Sequence, residues 1–267
     1  MADQETLTFP PSLAAPFTPY LPPPSSSLSP YASSYLLPFV TLTFATSLDS
    51  SLSLSPGVRT TLSGPLSKSM THHLRAHHAS ILIGAGTAIA DDPGLNCRIA
   101  SSVSPRPIVL DPRARWAVTA ESKVIRLAGA GQGLAPFILV SQDVKVPAER
   151  EEVLRGVGGR YIRLATADNK FAWRDVLRVI RANGLGSVMV EGGGDVINSL
   201  LRAPDNELVR SVIVTIAPTW LGKGGVVVSP ERTTDADGQP APPIRLTNIK
   251  WIPLGEDVVV CGEILRP

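Results

Sequence analysis

Glu191-Gly192-Gly193-Gly194-Asp195 carries the densest chemical signal in the chain. The preceding Gly186-Ser187-Val188-Met189-Val190 reads as a short buried strand, and residues 196–201 read as the opening turns of an amphipathic helix. Three glycines at a strand-to-helix junction let backbone N–H groups approach a ligand closely, and the helix start adds partial positive charge. The natural guest is a phosphate or pyrophosphate. The G-x-G-x-x-G fingerprint is absent, as is the lysine of a phosphate-binding P-loop. By itself the triple glycine serves a tight turn and an anion site equally well.

A second glycine-containing loop follows another apolar run. In Gly84-Ala85-Gly86-Thr87-Ala88-Ile89-Ala90-Asp91-Asp92-Pro93-Gly94 the glycines permit close approach, Thr87 offers a hydroxyl, and Asp91 suits a sugar hydroxyl. Asp92-Pro93-Gly94 is also ordinary turn chemistry. Two such loops on one sheet shift the balance toward a nucleotide or dinucleotide cleft, because ligands collect at the carboxyl ends of parallel strands.

Residues 70–78 place His72, His73, Arg75, His77 and His78 on one predicted helix. His73 and His77 stand at i, i+4, a metal-compatible spacing, but neither the glutamate of His-Glu-x-x-His nor a nearby cysteine accompanies them. A solvated or packing role is the stronger reading, and no metal is expected. Arg75 is a cation able to fork onto a phosphate, or to make a surface salt bridge. The zinc-deaminase signature and the Gly-x-Ser-x-Gly elbow are both missing, which argues against those hydrolytic chemistries.

The elements that must hold these loops alternate strand and helix. Residues 38–44 and 80–84 read as strands, with a helix from Ser63-Gly64-Pro65 to about His78 between them, capped by Ser63 or Ser67. Strands follow at 106–111, 136–140 and 161–164, with helices near 147–154 and 173–183, the last ended by Gly184. Residues 209–217 form a long β-like run. Residues 244–252 face 257–265 across Pro253-Leu254-Gly255-Glu256 as an antiparallel hairpin. The expected fold class is α/β: a mixed, mostly parallel sheet flanked by helices, with a C-terminal hairpin on its edge. Residues 129–135 and 230–243 are expected to be low-order insertions.

The 267 residues, 43% hydrophobic and 18% charged, suit a packed core, and no run is long enough to span a membrane. A net charge of +2 gives no electrostatic footprint for nucleic acid. Cys97 and Cys261 read as free thiols in a reducing compartment. Residues 1–37 are rich in Pro and Ser, carry no Lys or Arg, and are expected to form a flexible tail preceding a single domain over 38–267. The tail lacks the features of a signal peptide or presequence, so the cytoplasm is the expected compartment.

Five stretches in order resemble the riboflavin-pathway reductases: residues 38–49, Pro56-Gly57-Val58-Arg59-Thr60-Thr61, Met70-Thr71-His72-His73-Leu74-Arg75, residues 84–98, and Glu191 to Asp195. The chain is also similar to the reductase half of the bacterial bifunctional deaminase–reductase. The resemblance implies a dihydrofolate-reductase-like fold, a homodimer, and NADPH as hydride donor to C1′ of a phosphorylated ribosylamino-pyrimidine. By matched position it implies that Ala45, Thr60, Thr87, Asp91, Gly192, Gly193, Gly194, Asp195 and Val196 line the cofactor, together with Ile162 at the end of a strand. It brings Val58, Arg75, Leu95, Arg98 and Glu191 to the substrate, the two arginines toward its 5′-phosphate. Asp49 and Glu191 are the candidate catalytic acids. Ser50-Ser51-Leu52 departs from the family's pattern, in which Gly or Ala precedes a basic residue, so one substrate contact lacks a matched side chain. A pterin or folate reductase on the same fold, and a non-catalytic nucleotide-binding module, are the alternatives.

Overall fold

The computed structural model describes residues 5–24, 37–234 and 238–266. One sheet of nine strands organises the chain. The strands are β1 (Phe39–Thr46), β3 (Ser80–Gly84), β4 (Arg106–Leu110), β5 (Phe137–Ser141), β6 (Arg160–Leu164), β7 (Ser187–Gly192), β8 (Ser211–Ile216), β10 (Leu246–Leu254) and β11 (Asp257–Ile264). Their order is β10-β11-β8-β1-β7-β3-β4-β5-β6. Strands β8 through β6 in that order are parallel, and β11 closes antiparallel on β8. The expected hairpin forms the edge, β10 turning into β11 through Gly255 at φ +69°. A separate pair, β2 (Ser51–Ser53) with β9 (Val226–Val227), was not anticipated from the sequence.

Helices α2 (Pro65–Ala76), α4 (Lys123–Gly129) and α5 (Ala148–Gly156) cover one face of the sheet; α6 (Trp173–Ala182) and α7 (Gly194–Leu201) cover the other. Alternation along the strands supplies both cores. Val188 and Val190 join the α6–α7 layer, whereas Met189 between them packs with Met70 and Leu74 of α2. Helix α3 (Ala85–Asp91) follows β3 directly, where the sequence read as a loop.

The start of α2 is fixed from a distance. Its N-cap residue, Gly64, has no side chain to bond, and Asp257 of β11 accepts from Gly64 N at 2.9 Å and from Ser67 Oγ at 2.5 Å. A carboxylate at a helix start is electrostatically favourable. Neither Ser63 nor Ser67 is the cap.

The N-terminal segment departs from expectation. Residues 5–24, read as part of a flexible tail, hold a short helix α1 (Pro11–Ala14) and a 3-10 turn at Ala15–Tyr20. Phe17 is fully buried and Tyr20 nearly so, against Met70, Leu74, Met189 and Ile213. Pro/Ser content hid three apolar anchors, Phe17, Tyr20 and Leu21, whose burial offsets the ordering cost. Residues 1–4 and 25–36 of the expected tail lie outside the described residues.

Candidate functional site

The site residues collect where the parallel strands end. Strand β7 lies between β1 and β3, with Leu42 opposite Val190 and Ile83 opposite Gly192. The carboxyl ends of these three strands bring Ala45, Glu191 and Gly84 to one edge of the sheet. Chain order reverses there, since β1 and β3 are successive strands of this sheet along the chain and β7 is inserted between them. Such switch points are where open α/β sheets bind ligands.

The glycine turn after β7 interlocks with the first turn of helix α3 at that edge. Gly192 has φ +132°, a conformation reserved for glycine, and its peptide to Gly193 is cis. A Cβ on Gly193 would stand 2.9 Å from Thr87 Oγ1 in α3, and one on Gly194 would stand 2.3 Å from Val226 Cγ1 in β9. The β7–α7 turn is therefore held between α3 and β9, with no room for side chains. Gly86 has nothing within 4 Å of its would-be Cβ, so the first turn of α3 faces open space there. Asn198 ties β9 to α7, donating to Val227 O at 2.9 Å and accepting from Ser229 N at 2.9 Å.

The charged part of the site is centred on Arg75. Its Nε and Nη2 donate to the two carboxylate oxygens of Glu191 at 2.9 and 2.7 Å, and Nη1 donates to Asn96 O at 3.0 Å. Burial works against the guanidinium charge, but the charge and hydrogen bonds of Glu191 outweigh it and hold the Arg75 pKa above its usual value. Arg75 is thus engaged by Glu191 rather than paired with Arg98 as two open phosphate forks. Arg98 lies one helical turn away along α2, against His72. Its backbone N stands 3.1 Å from His72 Nδ1 and its Nε 3.2 Å from Nε2. A neutral imidazole accepts at only one nitrogen, so one of these contacts at a time is a hydrogen bond. Burial, followed by the charges of Arg75, Arg98 and Lys68, pushes the His72 pKa down to about 3, so the ring is neutral.

Asp49, a candidate acid, accepts the Ser47 hydroxyl and the backbone N–H groups of Leu221 and Gly222, the last two at 3.2 and 2.7 Å. The Ser47 bond, then these backbone bonds, hold its pKa below the usual carboxylate range. An ionised carboxylate is a poor proton donor at neutral pH, and Asp49 ties the β1–β2 turn to Leu221 and Gly222. Val58 and Thr60 lie on the loop after β2, where Thr60 Oγ1 accepts from Leu54 N at 3.1 Å. Asp91 closes α3, its pKa raised by burial against the opposing charge of Arg59. Asp195 and Val196 form the first turn of α7.

Two expected contacts are placed differently. Leu95 is 2% exposed and packs with Ile83, Val109 and Val124, leaving only its backbone, at φ +53°, to face a ligand. Ile162 sits in the middle of β6, not at its end, and packs beneath the α6–α7 layer. Strand β6 is the far edge, four strand spacings from β7, roughly 19 Å. Only an extended ligand crossing the sheet reaches it.

No local pattern marks residues 219–222 as partners of Asp49 or His72 as the partner of Arg98, because these contacts form only on folding; Ser47, two residues before Asp49, has no spacing or charge that singles it out. His73 and His77 lie tilted against each other at 4.4 Å between ring centroids, and among the described residues no three His, Cys, Asp or Glu side chains group as a metal site. A cavity of about 420 Å³, lined by Phe39, Arg210, Glu263 and Arg266 among others, lies at the opposite, amino end of the parallel strands and contains none of these residues.

Comparison with known proteins bears on this geometry. The RibD C-terminal domain family matches residues 38–260. The chain is 38% identical over 255 residues to the 2,5-diamino-6-ribosylamino-4(3H)-pyrimidinone 5′-phosphate reductase of Debaryomyces hansenii, covering 91% of this chain and 98% of that protein. It is 40% identical over 263 residues to the protein of the same name from Eremothecium gossypii, covering 94% and 96%. The solved structure of Saccharomyces cerevisiae riboflavin biosynthesis reductase Rib7 superposes with a TM-score of 0.75 at 33% identity, covering 95% of this chain and all of that one.

Proposed function

Because this chain belongs to the RibD C-terminal domain family, with the dihydrofolate-reductase-like architecture described above, we propose that it is the NADPH-dependent reductase of riboflavin biosynthesis. It reduces the ribosylamino side chain of 2,5-diamino-6-(5-phosphoribosylamino)pyrimidin-4(3H)-one to the ribitylamino form. The observation that carries the reading is the meeting of the glycine turn after β7 with the first turn of α3 after β3, beside the Arg75–Glu191 pair at one sheet edge. Relatives of near-equal length at 38% and 40% identity bear this activity in their names, which favours it over a pterin reductase or a silent nucleotide-binding module.

A nicotinamide cofactor follows from the reductase family, and NADPH is the form proposed. The residues present fit it: the Gly192–Gly194 turn carries no side chain above its backbone, Thr87 stands beside Gly193, and Gly86 leaves open space on the neighbouring turn. Backbone donors at these turns hold the pyrophosphate, and Ala45 at the end of β1 flanks the nicotinamide end. When bound, the dihydronicotinamide supplies hydride to C1′ of the open-chain or imine form of the substrate. The chain's own work is to orient and to exclude water. Arg98 holds the 5′-phosphate with its free Nη donors, while Arg75 and Glu191 fix the loop that carries it. Since Asp49 is held ionised, Glu191 or water is the route for the balancing proton.

We further propose a homodimer, testable by sedimentation, and a cytoplasmic site of action consistent with the free thiols Cys97 and Cys261. Among the described residues no helix is long and apolar enough to cross a membrane. The decisive assay incubates the protein with NADPH and the ribosylamino-pyrimidine phosphate and follows loss of reduced-nicotinamide absorbance. No turnover, or equal turnover of a pterin, would reject the reading. Arg98→Ala should weaken the phosphorylated substrate about ten- to a hundredfold, the value of a charge-assisted bond to phosphate. It should spare NADPH and the dephosphorylated nucleoside.

A further inference from the structure

We infer that residues 5–10 act as a strap that positions Arg98 for the substrate phosphate, an inference resting on the function proposed above. Arg98 lies in a stretch without helix or strand, between the left-handed residues Leu95 and Ser101. A cation on such a stretch binds a phosphate well only if its backbone is fixed beforehand, since ordering it on binding costs affinity.

Three contacts do the fixing. Leu7 N donates to Arg98 O at 2.9 Å, and Leu7 pairs in parallel with Ile99. On the other side of the same residue, Arg98 N meets His72 Nδ1 at 3.1 Å. One residue earlier, Cys97 Sγ donates to His72 O at 3.2 Å. Both peptide groups of Arg98 are thereby occupied, one by α2 and one by the strap. Its Nε rests on His72, while among the described residues neither Nη has a partner. In the tautomer whose Nδ1 accepts the backbone N–H, the guanidinium only touches the ring, and its outer donors are free.

The strap is itself anchored. Phe9 packs on His73 of α2 at 5.2 Å between centroids and on Phe17 at 6.0 Å, and Phe17 is fully buried. The segment thus runs from the sheet core, over α2, to the back of Arg98. It lies outside the residues matched by the family, 38–260.

The test compares the full chain, Leu7→Pro and Leu7→Ala. Proline removes the N–H that Arg98 O accepts, whereas alanine keeps it and serves as the conservative rescue. Leu7→Pro should raise KM for the phosphorylated pyrimidine about three- to tenfold, the loss of one hydrogen bond. KM for the dephosphorylated nucleoside, KM for NADPH and kcat should stay within about twofold. Leu7→Ala should recover most of the phosphate preference. A second variant, the chain begun at residue 10 so that Phe17 and Tyr20 stay in place, should show the same selective loss. An unchanged phosphate preference in both variants would overturn the inference, as would equal losses for phosphorylated and dephosphorylated substrates. If the full chain fails to turn over the phosphorylated substrate, or Arg98→Ala keeps the phosphate preference, the functional reading itself is what fails.

Discussion

Arg75 and Glu191, 116 residues apart in sequence, meet in a two-pronged ion pair that joins α2 to the carboxyl end of β7. The side chains are only 13% and 15% exposed, so the pair is largely withdrawn from water without being sealed from it. Nη1 of the same arginine reaches Asn96 O, which links the pair to the loop that carries Arg98.

Glu191→Gln should therefore act twice. An amide offers one oxygen to a guanidinium that had two, and turns an N–H₂ group toward the other prong. Stability should fall by about 1–3 kcal/mol, below the cost of orphaning a fully buried charge. Urea unfolding reads that loss. Substrate KM should rise with it, because the Asn96 contact depends on the same guanidinium. Unchanged unfolding and unchanged KM would mean that the pair is incidental.

Gly193 tests the cofactor turn. Its added Cβ would meet Thr87 Oγ1 at 2.9 Å, so Gly193→Ala should displace either the turn or Thr87. The NADPH dissociation constant should rise at least about tenfold, or 1.4 kcal/mol. Gly193→Ala with Thr87→Ala separates two causes. Recovery of NADPH affinity would locate the fault in the collision with Thr87, and continued weakness would locate it in the ligand's approach to the backbone. A single variant that titrates NADPH like the parent would leave the glycine as a turn residue only.

Two buried histidines make stability depend on pH. His78 Nδ1 donates to Leu74 O at 2.7 Å, and Nε2 accepts from Thr41 at 2.8 Å, which fixes the neutral tautomer. Burial, opposed by the Leu74 bond, moves its pKa down to about 4, and burial with three nearby cations moves that of His72 down to about 3. Both values lie below the unfolded value of about 6.5, so on acidification the unfolded chain takes up protons first. Stability from these groups is full above about pH 6.5 and declines as pH falls toward 4. Between pH 6.5 and 5 the decline is at most about 2 kcal/mol per histidine. Urea midpoints measured across that window should fall, and His78→Gln should flatten the slope. A flat wild-type profile would contradict the buried neutral rings.

The outline of the sheet was legible because local signals and tertiary placement agree. Short apolar runs such as Ile81-Leu82-Ile83 are strands buried on both faces, and Gly192 marks a turn that only glycine makes. What escaped was set by contacts distant in sequence. Helix α2 is capped by Asp257, 190 residues beyond Ser67, and no local pattern encodes that. His72 read as one of four clustered histidines, yet the fold buries it and turns it to Arg98. Leu95 shared a motif with substrate residues, and its side chain serves the core instead. Composition also misled: the prolines of residues 5–24 and the serines that follow them outweighed Phe17 and Tyr20 in the reading, although those two rings decide where the segment goes.

That segment gives the last prediction. Phe17 is 0% exposed and Tyr20 3% exposed, and Tyr20 Oη donates to Asn248 O at 2.5 Å, bonding the N-terminal turn to the outer strand of the hairpin. Phe17 fills space among Met70, Leu74 and Ile213, which belong to α2 and β8. Removing the ring leaves a cavity that the surrounding helix and strand close only in part. Phe17→Ala should thus cost about 3–5 kcal/mol, the range for large-to-small changes in a packed core. A chain shortened to begin after residue 24 should lose at least as much and expose Met70 and Leu74 to solvent. Thermal and urea unfolding of both proteins measure this directly. If either unfolds at the wild-type midpoint, residues 5–24 are a dispensable tail after all.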